Sequence, residues 1–164
     1  MQYYVAGRSA TFAGSFPVAG NLFHHAVEMF LKSFLLDNHS ALLLKRNFNH
    51  NLKMLWREFK RIANEPALTK FDSLVSSLNK VEELRYPSKG YMFSLAVGKG
   101  PPAPASGPAT KGLKEYNLNL EEIDEFVVTL LTGRVTPEWI RSLLFEDARA
   151  QYKRENLHPF FPDT

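Results

Sequence analysis

The chain has 164 residues, a length that suits one domain with a proper core, and its 45% hydrophobic and 23% charged residues are ordinary for a globular protein. It contains no cysteine, which excludes disulfides, thiol catalysis, thiolate zinc sites and iron–sulfur clusters. The net charge of +3 is mildly basic and does not by itself demand a nucleic-acid partner.

Thirteen Phe and two Trp supply large apolar side chains for a core. The best apolar run, Met29 to Leu36, is broken by Lys32, and residues 1–20 lack a basic start followed by an apolar stretch. A cytoplasmic protein with no membrane partner is therefore expected.

A first helix is predicted over Gln2 to Ala13, ended by Gly14 and Ser15. Pro17 suits the first turn of a second helix, which runs to about Leu36. Asp37 to Ser40 reads as a turn, and a third helix follows His50, with Leu52, Leu55, Trp56, Phe59 and Ile62 on one face. A fourth starts near Ala67, buries Phe71, Leu74, Val75, Leu78, Val81 and Leu84, and stops at Pro87. Tyr91, Phe93, Leu95 and Val97 alternate with smaller residues and predict a strand. Its partner is expected around Leu113 to Leu118, as a small β-hairpin tipped by a flexible Pro/Gly-rich loop, residues 98–112. A fifth helix begins near Leu120, where Glu121, Glu122, Asp124 and Glu125 suit the positive end of the helix dipole. Thr136 and Pro137 start a sixth, running to about Arg154. The expected architecture is mainly α: one up-and-down helix bundle over residues 1–164.

Two surfaces carry candidate chemistry. On the second helix, Asn21, His25, Glu28 and Lys32 fall in a narrow polar stripe with His24 at its edge, on an otherwise apolar helix. The stripe is either a solvent face with an ordinary Glu28–Lys32 pair or the wall of a cleft. A metal there would take His24 or His25 with Glu28, but a second ligand pair is lacking, so no metal and no cofactor is expected. On the third helix, Lys53, Arg57, Lys60 and Arg61 share the face opposite Trp56 and Phe59, a stripe able to contact phosphates or simply to meet water. No Gly-x-Ser-x-Gly elbow is present, and no catalytic residue is assigned.

Several segments resemble one known family. Ala26-Val27-Glu28-Met29-Phe30-Leu31-Lys32 is similar to the Ala-x-Glu-x-x-x-Lys signature on the second helix of HEPN domains. His50-Asn51-Leu52 resembles that family's His-Asp/Asn-Leu at the start of the third helix, and Arg85-Tyr86-Pro87 its Arg-Tyr-Pro at the end of the fourth. The resemblance covers about residues 1–90. It implies a helix bundle, often dimeric, whose relatives bind nucleotides, cleave RNA or partner nucleotidyltransferases. It marks Glu28, Lys32, His50, Arg85 and Tyr86 as a ligand-binding cluster. One departure matters: the ribonuclease pattern of Arg, four to six residues, then His is missing, since Arg46–His50 and Arg154–His158 have three intervening residues each. The expected function is thus a non-catalytic binding module for a nucleotide or RNA, as a homodimer and with a nucleotidyltransferase as a further partner. A divergent dimeric ribonuclease using Arg46 and His50, and an interaction domain without ligand, are the alternatives.

Overall fold

The computed structural model describes residues 1–85, 90–98 and 113–161. Among the described residues it is mainly helical: α1 (Gln2–Phe12), α2 (Phe16–Leu35), α3 (Ala41–Asn47), α4 (Leu52–Ala63), α5 (Asp72–Val81), α6 (Leu120–Leu131), α7 (Pro137–Ser142) and α8 (Glu146–Lys153). Two strands, β1 (Tyr91–Ala96) and β2 (Lys114–Asn119), form one small sheet. None of these helices is long and apolar enough to cross a membrane.

The central element is α2. Its buried Ala19, Phe23, Ala26, Val27 and Leu31 recur at helical spacing, and α1, α4, α5, α6 and β1 all pack on it. Two glycines set how closely the neighbours approach. A Cβ at Gly7 would lie 2.7 Å from the Phe23 ring, so α1 needs glycine there to lie against α2. A Cβ at Gly20 would lie 2.7 Å from the Phe93 ring and 2.9 Å from Val81, so β1 and α5 close on α2 at the same point.

Local signals explain the helix ends. The Asn51 side-chain oxygen accepts from Met54 N at 3.1 Å and starts α4, and Asn64, in the left-handed conformation at φ 53°, stops it. Asn119 accepts from Glu121 N and Glu122 N to start α6, and Thr136 accepts from Trp139 N to start α7.

Four expectations need correction. The strands are parallel, with Tyr91 opposite Lys114 and Ala96 opposite Asn119, so the expected hairpin does not form. Alternation specifies faces but not direction, and a parallel pair requires a connection of a dozen or more residues, which residues 97–113 supply. Residues 41–47, for which the sequence predicts no element, are helical; Ser40 caps α3, and only Leu44 of it is buried. The fourth helix opens with a 3₁₀ turn, Pro66–Phe71, before α5 and closes with another, Glu82–Arg85. The sixth helix is broken into α7 and α8, because Phe145 takes an extended conformation between them, 88% exposed. Tyr86, Pro87 and all of the 98–112 loop except Gly98 lie outside the described residues.

Asp124 is also not a solvated first-turn charge. It is buried and accepts from the Tyr4 hydroxyl and the Arg8 guanidinium, both on α1. Arg8, fully buried, also donates to the carbonyls of Gln151 and Arg154, and so ties the end of α8 to α1 and α6. Tyr152 stacks on Phe161 at 4.5 Å and accepts from Phe160 N, which folds residues 160 and 161 onto the same spot. Removing one partner of such a pair strands a buried charge. Arg8→Leu is expected to cost about 3–5 kcal/mol in urea denaturation, and adding Asp124→Leu should recover part of it. Strictly additive losses would show that the two charges do not compensate each other.

Candidate functional site

The site is built around one carboxylate. Glu28 sits mid-way along α2 and is 2% exposed. Such a group needs partners, and it has several. Lys32, one turn on, donates to Oε1 at 2.6 Å. His50, in the turn between α3 and α4, reaches Oε1 and Oε2 through Nδ1 at 3.0 and 3.1 Å. His25 Nδ1 and His24 Nε2 lie 3.6 and 3.9 Å from Oε2, beyond hydrogen-bond reach.

The protonation pattern follows from donor and acceptor chemistry. Burial alone would push the Glu28 carboxyl up, but the bonds from Lys32 and His50 outweigh it and hold the group below the usual glutamate range. An ionised carboxylate only accepts, so His50 carries its proton on Nδ1, and in neutral His50 Nε2 is bare. His24 Nδ1 donates to the Leu78 carbonyl at 3.0 Å, which fixes the other tautomer contact. Burial pushes the His24 imidazole below its ordinary value, against the pull of the Leu78 carbonyl, Glu82 and Glu28, while Arg85 lowers it further. Neutral His24 therefore presents a bare Nε2 towards Glu28, and this atom has no hydrogen-bond partner among the described residues.

His50 is 42% exposed and lines a cleft of about 330 Å³ between the α3–α4 turn and the end of α5. Its lining is polar. Asn51 and Asn79 each have their side-chain oxygen engaged by a backbone N–H, of Met54 and of Leu52 respectively. Both leave an NH2 group without a protein partner among the described residues. Phe48 and Met54 are the apolar members, and Glu82 adds a carboxylate.

Of the residues expected to gather, Glu28, Lys32 and His50 are in direct contact. Arg85 does not touch them; it faces Glu82 at 3.9 Å, across the same cleft wall. Tyr86 lies outside the described residues. His50 does not cap α4, as Asn51 does.

The basic face of α4 is only half free. Lys60 donates to Asp72 at 2.6 Å and lies over the Trp56 ring, and Arg61 grips Glu58 through two bonds. The Arg61 bonds, with help from His39, draw the Glu58 carboxyl down to about 2. Lys53 and Arg57 are exposed and unpaired among the described residues, as are Lys45 and Arg46 on α3. Lys53 and Arg57 border a second cleft, about 300 Å³, cut between α4 and α5. The two helices run antiparallel, with Leu52 beside Asn79 and Lys60 beside Asp72, so both clefts follow one seam.

Sequence reasoning singled out Glu28, Lys32 and His50 but passed over Asn79. Its only signal is a lone amide inside an amphipathic helix, which ordinary surface positions share. Among the described residues, no group of three or more His, Asp or Glu side chains is placed to hold a metal ion. The chain matches no family model, no curated protein and no solved structure.

The buried groups give a pH signature. His24 has a folded value below its ordinary 6.5, so the unfolded chain binds more protons and stability falls as pH drops through that region. Glu28 has a folded value below 4.5, so its contribution is present above 4.5 and is lost only in stronger acid. The His24 contribution to the thermal midpoint should therefore decline from pH 7 to pH 5. His24→Asn, whose amide can still donate to Leu78, should flatten that window. An unchanged slope in His24→Asn would remove the buried neutral imidazole from the account.

Proposed function

We propose that this chain is a HEPN-type, non-catalytic binding module for a nucleotide or RNA. The observation that carries the reading is the polar cleft whose wall is His50, oriented by a buried Glu28, opening beside the unpaired cations of α4. A single-domain solvent face would leave Glu28 in water. Instead, the residues quoted for the family resemblance on α2 and at the start of α4 meet over 2.6–3.1 Å. Neutral amides and an imidazole in the cleft, with ammonium and guanidinium groups just outside, suit a ligand that combines a polar ring with phosphate.

Among the described residues, neither cleft sets Asn, Gln and Arg along one helix to reach duplex base edges, so RNA binding is chiefly electrostatic and does not read a duplex sequence. A homodimer and a nucleotidyltransferase partner belong to the same reading; Leu42 at 63% exposed and Phe145 leave apolar surface for such contacts.

The ribonuclease reading has one observation in its favour. A buried carboxylate holding His50 Nδ1–H leaves Nε2 as a proton acceptor, the orienting half of a general base. It predicts RNA cleavage abolished by His50→Ala and Arg46→Ala. The binding module predicts retention on RNA at low salt with no cleavage.

The paired and unpaired cations separate in a salt titration. Each phosphate contact contributes about 0.7 to the slope of log affinity against log salt for single strands, so Lys53→Gln with Arg57→Gln should reduce that slope by about 1.4. Lys60→Gln with Arg61→Gln should change it far less, because Asp72 and Glu58 already hold those charges. Fluorescence anisotropy with a labelled oligonucleotide reads both. No binding at low salt would leave the face a solvated surface and end the RNA reading.

A further inference from the structure

We propose that the cleft between the α3–α4 turn and the end of α5 is a subsite for the base of the bound nucleotide, with the phosphate held outside it by Lys53 and Arg57. The inference rests on the nucleotide-binding reading above and assigns its parts.

Charge decides which end of the ligand enters. The cleft contains Glu82, whose carboxylate repels a phosphate, and among the described residues no lysine or arginine lines it. What it offers are hydrogen bonds with fixed sense. Asn51 and Asn79 cannot turn their amides, because each side-chain oxygen accepts from a backbone N–H, at 3.1 and 2.8 Å. Each therefore keeps its oxygen turned to the backbone and has its NH2 donors left for a ligand. His50 is fixed the opposite way: its Nδ1–H is committed to Glu28, so the neutral ring offers an acceptor at Nε2. Glu82 is a second acceptor.

Preset donors beside preset acceptors complement a base edge that carries an N–H next to a carbonyl or a bare ring nitrogen. The Phe48 ring and the Met54 thioether line the same cleft and give a flat heterocycle apolar contact. From Asn51 to Arg57 is six residues of α4, about 9 Å along its axis, a span that one nucleotide can cover from base to phosphate.

The test compares two probes that share a phosphate and differ by the base: AMP and ribose 5-phosphate, titrated calorimetrically at low salt. The native protein should bind AMP more tightly, by about tenfold. Two variants remove NH2 donors while keeping the structural acceptor: Asn51→Ser, which still caps α4, and Asn79→Asp, which still accepts from Leu52 N. Each should shrink the ratio of AMP to ribose 5-phosphate affinity towards one without lowering the urea midpoint. The ratio is the readout because the charge added by Asn79→Asp affects both probes. Lys53→Gln with Arg57→Gln should weaken both probes alike and leave the ratio unchanged. Equal affinity for the two probes in the native protein, or a ratio untouched by Asn51→Ser and Asn79→Asp, overturns the base subsite while nucleotide binding stands. Absence of binding by both probes overturns the nucleotide reading and the subsite together.

Discussion

A carboxylate that is 2% exposed in the middle of an apolar helix must be compensated from inside the protein, and the way Glu28 is compensated shapes much of what surrounds it. Lys32 comes from the same helix and needs only helical spacing. His50 comes from the turn that precedes α4. The bond therefore fixes where α4 begins relative to α2, and Asn51, the next residue, caps α4 from that fixed position. Asn79 on α5 then meets Leu52 N, which joins the third helix to the arrangement. One buried charge thus aligns three elements, and the cleft lies where they meet.

A second buried charge plays a different part. Arg8 and Asp124 compensate each other within the protein, far apart along the chain, and neither lines the two clefts described above. Arg8 also donates to backbone carbonyls of α8 and the residue after it, so the pair acts as a clamp on the end of α8. Glu28 differs because its partners are partly open to water: Lys32 is 22% exposed and His50 42%. In the first arrangement each guanidinium nitrogen and both carboxylate oxygens have a protein partner, and the pair is structural. The second leaves the His50 side chain partly open to water and His24 Nε2 without a hydrogen-bond partner among the described residues.

Most of the helices were legible because their signals are local. Pro17, Thr136 and Pro137 start helices, and the apolar faces of α2, α4, α5 and α6 recur at helical spacing. What escaped was set by tertiary contacts. A helix with one buried residue, as in α3, has no periodicity to read. Strand direction is decided by the path of the connection, and alternation at Tyr91, Phe93 and Leu95 is the same for both directions. Asp124 stands among three other acids at the start of α6, and only its place on the apolar face with Leu120, Val127 and Leu131 sets it apart; the partner that compensates it, Arg8, is 116 residues away. The polar stripe on α2 was visible, yet whether it faced water or a cleft depended on His50 arriving from outside the helix. The basic face of α4 was visible too, but Asp72 and Glu58 occupy half of it, and Asp72 belongs to another helix.

The account turns on the Glu28–His50 bond, and the tautomer of His50 reports on it directly. Long-range proton–nitrogen correlation spectra resolve which ring nitrogen carries the proton. Glu28 as an ionised acceptor predicts that neutral His50 is protonated on Nδ1 and bare on Nε2, and that Glu28→Ala shifts the ring to a mixture of tautomers. A His50 that is already a mixture in the native protein, or one protonated on Nε2 and unchanged by Glu28→Ala, would contradict the bond and with it the orientation of the cleft.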